Sequence, residues 1–187
     1  MQQFMPGTTI EIRVLSEGMA ENIFGNIFVG GGVVLSQVSA MTGLEPYVVQ
    51  NWVKRGFVSP PIRRMYSKRQ FSRIVVINML RESMQLDRIV SLLSYINGRL
   101  DDESDDTIDD FALYCLYVDL LSRVGTFSID REDIAAVVHE FLSSRTLSSG
   151  VDQKKLARVL ELMVYAHFSA TLRRRSDILF AEIAEDR

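Results

Sequence analysis

The sequence predicts a mainly helical, all-α protein: two short helices around a turn, a short loop rich in proline and arginine, and then a bundle of longer helices. Three observations lead there. Apolar residues recur at i, i+3 and i+4 through most of the chain. No strand-rich region and no internal repeat interrupts that period. Glycine and proline cut the first half into short segments, whereas the second half holds long uninterrupted ones. With 187 residues, 47% of them hydrophobic and 24% charged, the chain has ample material for a core that folds unaided.

The elements follow in order. An opening stretch, Thr8 to Leu15, has the composition of a short strand. Met19, Ile23 and Ile27, with Ala20, Phe24 and Phe28 beside them, form the apolar stripe of a helix over about 17–28. Gly30, Gly31 and Gly32 end it and read as a hinge, since no Lys-Ser/Thr follows to make a phosphate-binding loop. Leu35, Val38 and Met41 mark a helix stopped by Gly43. A second helix opens at Glu45-Pro46, with proline in the first turn where its missing N–H costs nothing, and runs to Arg55 before Gly56. The pair around Thr42-Gly43-Leu44 has the helix-turn-helix pattern.

Pro60-Pro61 then forbids helix. Ser67 with Gln70 three residues on reads as a capping box for a third helix reaching about Ser83. A fourth covers Asp87 to Ile96, closed by Asn97-Gly98. The acidic run DDESDDTIDD (101–110) lacks the glycine and glutamate of a calcium loop and suits the N-terminus of the next helix, whose dipole favours negative charge. That helix, Ile108 to Val124, is apolar almost all round. Another spans about Asp130 to Ser143. The last starts after Val151 with Asp152 as its cap, and its period continues through Arg173-Arg174-Arg175 to Ile183.

Charge divides the chain as sharply as periodicity does. Residues 1–32 carry a net −2, residues 33–100 +7 and residues 101–187 −8, within a formal total of −3. The expected organisation is therefore an N-terminal helix and glycine hinge over 1–32, a basic helix-turn-helix domain over 33–100, and an acidic helical domain for dimerisation or sensing over 101–187. Cys115 is the only cysteine, so no intramolecular disulfide is possible, and it reads as a buried core thiol. The opening residues lack a secretory pattern and no apolar run has the length of a membrane span, which together point to a cytoplasmic protein.

Signals for catalysis are poor. His139 and His167 lie far apart, neither at a metal-ligand spacing, and no nucleophile elbow or dinucleotide fingerprint occurs. The expectation is a protein that is not an enzyme and needs neither cofactor nor metal. Signals for nucleic acid are better. On the second short helix Tyr47, Gln50, Asn51 and Lys54 fall at i, i+3, i+4 and i+7, one polar stripe. Trp52 on the same helix is expected to be structural, wedged between the first helix, the loop and Phe71. Gln and Asn can each bond adenine in bidentate fashion in the major groove. Lys54, Arg55, Arg63, Arg64, Lys68, Arg69 and Arg73 supply positive charge for phosphates, and residues 33–81 hold eight bases against one acid.

The stretch LSQVSAMTGLEPYVVQNWVKRGFVSPP…RRMYSKRQFSRIVVINML resembles the winged helix-turn-helix DNA-binding domain of MerR-type transcription regulators. The resemblance covers about 33–97. It rests on the apolar first helix, the aromatic-x-x-x-Gly-apolar end of the second (Trp52 to Gly56, then Phe57) and the element Arg64-Met65-Tyr66-Ser67. It implies a wing, which in this chain spans Pro61 to Arg64 and is shorter than the family's usual one, and it adds Tyr66 to the DNA-binding set. Gln50-Asn51 stands where that family usually has Arg-Tyr, so base preference does not carry over. The same stretch, extended through LLSYINGRLDDESDD, also resembles a bacterial family catalogued only as a domain of unknown function. The expected protein is thus a bacterial transcription regulator that binds double-stranded DNA as a homodimer paired through its C-terminal helices, since one short recognition helix reads few base pairs. The competing reading is a protein–protein interaction module on a winged-helix fold, its basic face meeting an acidic partner or the chain's own acidic half.

Overall fold

The computed structural model describes residues 3–98, 100, 107–124, 134–148 and 150–185. Eight helices and four two-residue strands occur among them. Two strands, β1 (Gln3–Phe4) and β2 (Glu11–Ile12), pair antiparallel, with Gln3 opposite Ile12. The strand expected over Thr8 to Leu15 is thus only the second arm of a hairpin. Thr8 and Thr9 spend their polar groups elsewhere: the Thr8 hydroxyl donates to Met5 O at 3.0 Å, and the Thr9 hydroxyl to Ala40 O at 2.6 Å.

α1 (Met19–Ile27) buries Ala20 and Phe24, and the Phe24 ring stacks on Tyr114 with centroids 5.2 Å apart. The triple glycine turns the chain into β3 (Val33–Val34). Gly31 has φ 85° and faces open space, whereas a Cβ on Gly32 would come within 3.1 Å of Tyr66 O, so only the last glycine is packed against the chain that pairs with β3.

α2 (Leu35–Thr42) and α3 (Pro46–Lys54) enclose the expected tight turn. Gly43 closes α2 with φ 69°, a left-handed conformation that glycine adopts without steric cost. β4 (Met65–Tyr66) then pairs with β3, Val33 opposite Tyr66. α4 (Lys68–Leu80) begins at the predicted capping box: Ser67 Oγ accepts from Gln70 N at 3.2 Å, and Gln70 Oε1 accepts from Ser67 N at 2.8 Å. It ends short of the expected Ser83, in a turn at Arg81–Met84. α5 (Leu86–Asn97), α6 (Asp110–Val124), α7 (Ile134–Ser143) and α8 (Gln153–Glu185) complete the chain. Asp152 caps α8 as expected, its Oδ1 accepting from Lys155 N at 3.0 Å. Residues 101–106, most of the acidic run, and 125–133, with the expected helix start at Asp130, lie outside the described residues.

α4 is the axis of the molecule. Nine of its thirteen residues are buried, because α2, α5, α6 and α8 all pack around it. Its Asn78 amide donates to both Gly7 O and Thr42 O at 2.9 Å, fastening the N-terminal hairpin and the helix-turn-helix corner to one point. A Cβ on Gly7 would sit 2.4 Å from Val75 O, so only glycine allows the N-terminal segment to lie this close to α4. Buried apolar residues from Met5 to Ala166 form one cluster that runs through the N-terminal segment, the 33–98 unit and the helical half alike. The architecture is therefore helical with two minimal β-ribbons, and no described helix is long and apolar enough to cross a membrane.

Candidate nucleic-acid interface

α3 presents its polar stripe because its apolar residues are held. Val49 and Trp52 are buried, Val48 and Val53 half-buried, and Tyr47, Gln50, Asn51 and Lys54 are exposed, as their spacing predicts. Trp52 anchors the helix, with the Arg81 guanidinium, just past the end of α4, 5.9 Å from its ring. Phe71, in the first turns of α4, meets a different set of rings, those of Phe24 and Phe28.

The loop after α3 is built to project cations. Ile62 and Met65 form a bridge closed by reciprocal backbone bonds of 3.1 and 2.9 Å, leaving Arg63 and Arg64 as its two tip residues. Their φ values are 51° and 65°. A two-residue hairpin turn with both central residues at positive φ is the type I′ form, which favours Asn-Gly or Gly-Gly. Two arginines there cost about 1–2 kcal/mol each relative to residues at ease in that region. The base of the hairpin is clamped by Gln70, whose Nε2 donates to Ser59 O (3.0 Å), Ser59 Oγ (3.1 Å) and Pro60 O (2.9 Å). The capping-box pattern located Gln70 but gave no sign of this second role.

Between α3 and the hairpin lies a cleft of about 520 Å³. Gln50 and Val53 line it from α3, Pro61, Arg64 and Tyr66 from the hairpin, and Ser36 from the start of α2. Tyr66 is buried and contributes to this cleft rather than to the outer surface. Ile62, at the hairpin, is 76% exposed; the charge pattern around it gave no reason to single it out.

The basic residues do not act as one surface. Lys54, Arg63 and Arg64 are exposed and, among the described residues, have no acidic partner. Arg55 is partly engaged, 3.4 Å from Asp87 on α5 and stacked over Phe57 at 4.4 Å. Lys68 lies 3.8 Å from the centroid of the Phe111 ring. Arg69 Nε is 4.0 Å from Asp110. Arg73 is buried: its Nη1 lies 3.3 Å from both Asp110 carboxylate oxygens, and its Nε donates to Phe57 O at 2.7 Å. The expectation that Arg73 contacts a surface ligand is corrected by this burial, which assigns it to the junction between α4 and α6. Asp110 is buried as well, and the loss of water pushes its carboxyl above the usual range, against the pull of Arg73. Asn97 Nδ2 adds a donor at 3.3 Å.

A second charged junction lies away from this face. Arg145 joins Glu17 (3.2 Å) and Asp119 (2.8 Å), Arg123 pairs with Glu17, and Asp119 also accepts from Gly18 N at 2.8 Å. Cys115 is half-buried, and burial first, then the nearby Asp119, pushes its thiol up to about 12. His167 is held down to about 4, chiefly by burial and secondarily by Arg174, and its ring meets Tyr117 edge-on. Among the described residues no three His, Cys, Asp or Glu side chains converge as metal ligands would.

Residues 33–116 match the family model described as a domain of unknown function (DUF1836). The match runs from β3 into α6 and so takes in α3, the hairpin, Gln70 and both partners of the Arg73–Asp110 pair. Uncharacterized protein YkrK of Bacillus subtilis (strain 168) is 26% identical over 115 residues, 58% of this chain and 49% of that protein. The chain thus spans about half the length of the curated relative it matches. No solved structure matches.

Proposed function

We propose that this chain is a MerR-like, winged helix-turn-helix regulator of transcription that binds double-stranded DNA and catalyses no reaction. In this reading α3 enters the major groove, where Gln50 and Asn51 meet base edges, and the Arg63-Arg64 hairpin serves as a short wing on the flanking backbone. The observation that carries the reading is the shared cleft: Gln50 of α3 and Arg64 of the strained turn line one concave face. A conformation that disfavours arginine, kept at two successive arginines, is the kind of local strain found at functional sites. Its effect is to fix two exposed arginines at the tip of a tight turn beside the helix.

The rest of the positive charge has another use. Arg55, Arg69 and Arg73 face Asp87 and Asp110 of the same chain, so the basic unit meets its own acidic residues. This part of the charge asymmetry is structural, and it favours the interaction-module reading only to that extent. Lys54, Arg63, Arg64 and a released Arg55 leave about three or four phosphate contacts per protomer, a salt slope of roughly −3 to −4 in log K against log salt. Fluorescence anisotropy of a labelled duplex over a salt series measures this slope directly. No association at low salt, or an association indifferent to salt, sinks the proposal and leaves the protein-interaction module.

A further inference from the structure

The cleft between α3 and the hairpin offers more than a duplex would use. Part of its lining is polar and exposed: Ser36 from α2, Gln50 from α3 and Arg64 from the turn. The rest is apolar and deeper. Leu35, Val53 and Pro61 are half-buried there, and Tyr66 is 3% exposed. A duplex is bound through its phosphates and base edges and gains little from an apolar floor. With a volume of about 520 Å³, mostly apolar walls and a few polar groups, the cleft has the size and lining of a small-molecule site.

The polar groups of this lining share one property: they are unpartnered. Tyr66 is buried, yet its hydroxyl makes no hydrogen bond to any described residue. Burial also raises its pKa, which keeps the phenol neutral and able to donate. The side chains of Ser36, Gln50 and Arg64 likewise make no hydrogen bond among the described residues. α2 begins at the cleft, and Val34 at its N-cap makes no side-chain capping bond, so the positive end of this helix adds to the same field. No acidic residue lines the cleft, and Arg64 is its one full charge. A single guanidinium flanked by neutral donors suits one carboxylate, whose two oxygens match the planar fork. An aromatic ring suits the apolar walls, because it covers much area with few rotors to freeze. We propose that the cleft is the binding site of a small aryl carboxylate. Its carboxylate pairs with Arg64 and accepts from Ser36, Gln50 and Tyr66, and its ring lies against Leu35, Val53 and Pro61. The inference goes beyond the DNA-binding proposal and does not rest on it.

The test titrates the full chain with naphthylacetate and with its neutral counterpart, naphthylacetamide, by isothermal titration calorimetry. No DNA is present, so this inference and the DNA-binding proposal stand or fall separately. The native chain is expected to bind the acid saturably, with a Kd of about 1 mM or tighter, and the amide about tenfold more weakly. Arg64→Gln should abolish that preference while leaving the amide affinity unchanged, a pattern that a merely damaged fold does not produce. Tyr66→Phe keeps the buried ring and should weaken the acid about fivefold, with thermal melting to show that the variant folds. Absence of saturable binding, equal affinity of the native chain for acid and amide, or a preference that survives Arg64→Gln overturns the inference. Full acid affinity in Tyr66→Phe overturns it as well.

Discussion

Arg73 and Asp110 stand 37 residues apart in the chain and meet as a buried ion pair, the guanidinium 3.3 Å from both carboxylate oxygens. The pair lies where α4, the helix that supports the basic unit, crosses α6, the first helix of the acidic half. Burial raises the Asp110 carboxyl while Arg73 lowers it, and burial is the larger effect. Such a pair adds little net stability, because desolvation of two charges offsets most of their attraction. Its loss on one side is another matter. Asp110→Asn leaves Arg73 buried and uncompensated and should cost about 3–5 kcal/mol in urea unfolding. A paired replacement, Arg73→Met with Asp110→Leu, should recover most of that loss; failure to recover would show that the Nε bond to Phe57 O dominates.

The Arg63-Arg64 tip separates stability from function. The double substitution Arg63→Asn/Arg64→Gly supplies the residue pair that a type I′ turn favours. It should stabilise the fold by about 1–2 kcal/mol, since the cost at each arginine is relieved only in part by the change. The same substitution should weaken association with duplex DNA and flatten its salt dependence by about two contacts. Thermal melting and anisotropy on one preparation check both. A chain that gains stability and binds DNA unchanged contradicts a binding role for the tip.

Trp52 is an anchor of α3 rather than part of its outward face. Its ring is buried beneath the helix and faces Arg81, so Trp52→Ala should cost about 3–5 kcal/mol of stability. DNA binding should fall only as folding falls. A variant that melts normally and fails to bind would place the ring on the ligand instead.

His167 gives a pH signature. Burial holds it neutral with a pKa of about 4, whereas an unfolded histidine titrates near 6.5. Below 6.5 the unfolded chain takes up a proton that the folded chain refuses, so this contribution is intact above 6.5 and is lost as pH falls toward 4. Its limit is about 3 kcal/mol. Denaturant melts of His167→Gln between pH 7 and 4 should show a shallower decline than the native chain, and parallel declines would reject the assignment.

How far these features were legible in the sequence depended on how local their causes are. Gly43, the proline at the start of α3, the Ser67–Gln70 box and Asp152 act within one turn of their own helix, and each appears where the sequence placed it. The stripe of Tyr47, Gln50, Asn51 and Lys54 was legible because periodicity fixes which side of a helix is wet once the apolar side is known. The burial of Arg73 was not legible because its partner lies 37 residues away, and periodicity says nothing of which charge will be drawn inward. Tyr66 was drawn inward likewise, by pairing of its strand with β3. The hairpin conformation of Arg63-Arg64 runs against local preference and is imposed by the Ile62–Met65 bridge and the Gln70 clamp, both of which need the folded chain. The apolar period of α8 beyond Thr171 was present in the sequence, yet the exposure of Leu172, Leu179 and Ile183 became visible only once the other helices had taken their places.

Whether α3 reads bases while the hairpin holds the backbone is decided by a binding series on Gln50→Ala, Asn51→Ala and Arg64→Ala against a selected duplex and a random one. Base contacts discriminate sequence, and phosphate contacts only position the protein. Loss of either amide should cost about 1–3 kcal/mol on the selected duplex and almost nothing on the random one. Arg64→Ala should weaken both alike and reduce the salt slope by about one contact. If all three variants lower selected and random binding in the same proportion, α3 does not read bases, and the assignment of this face as a DNA-reading surface is contradicted.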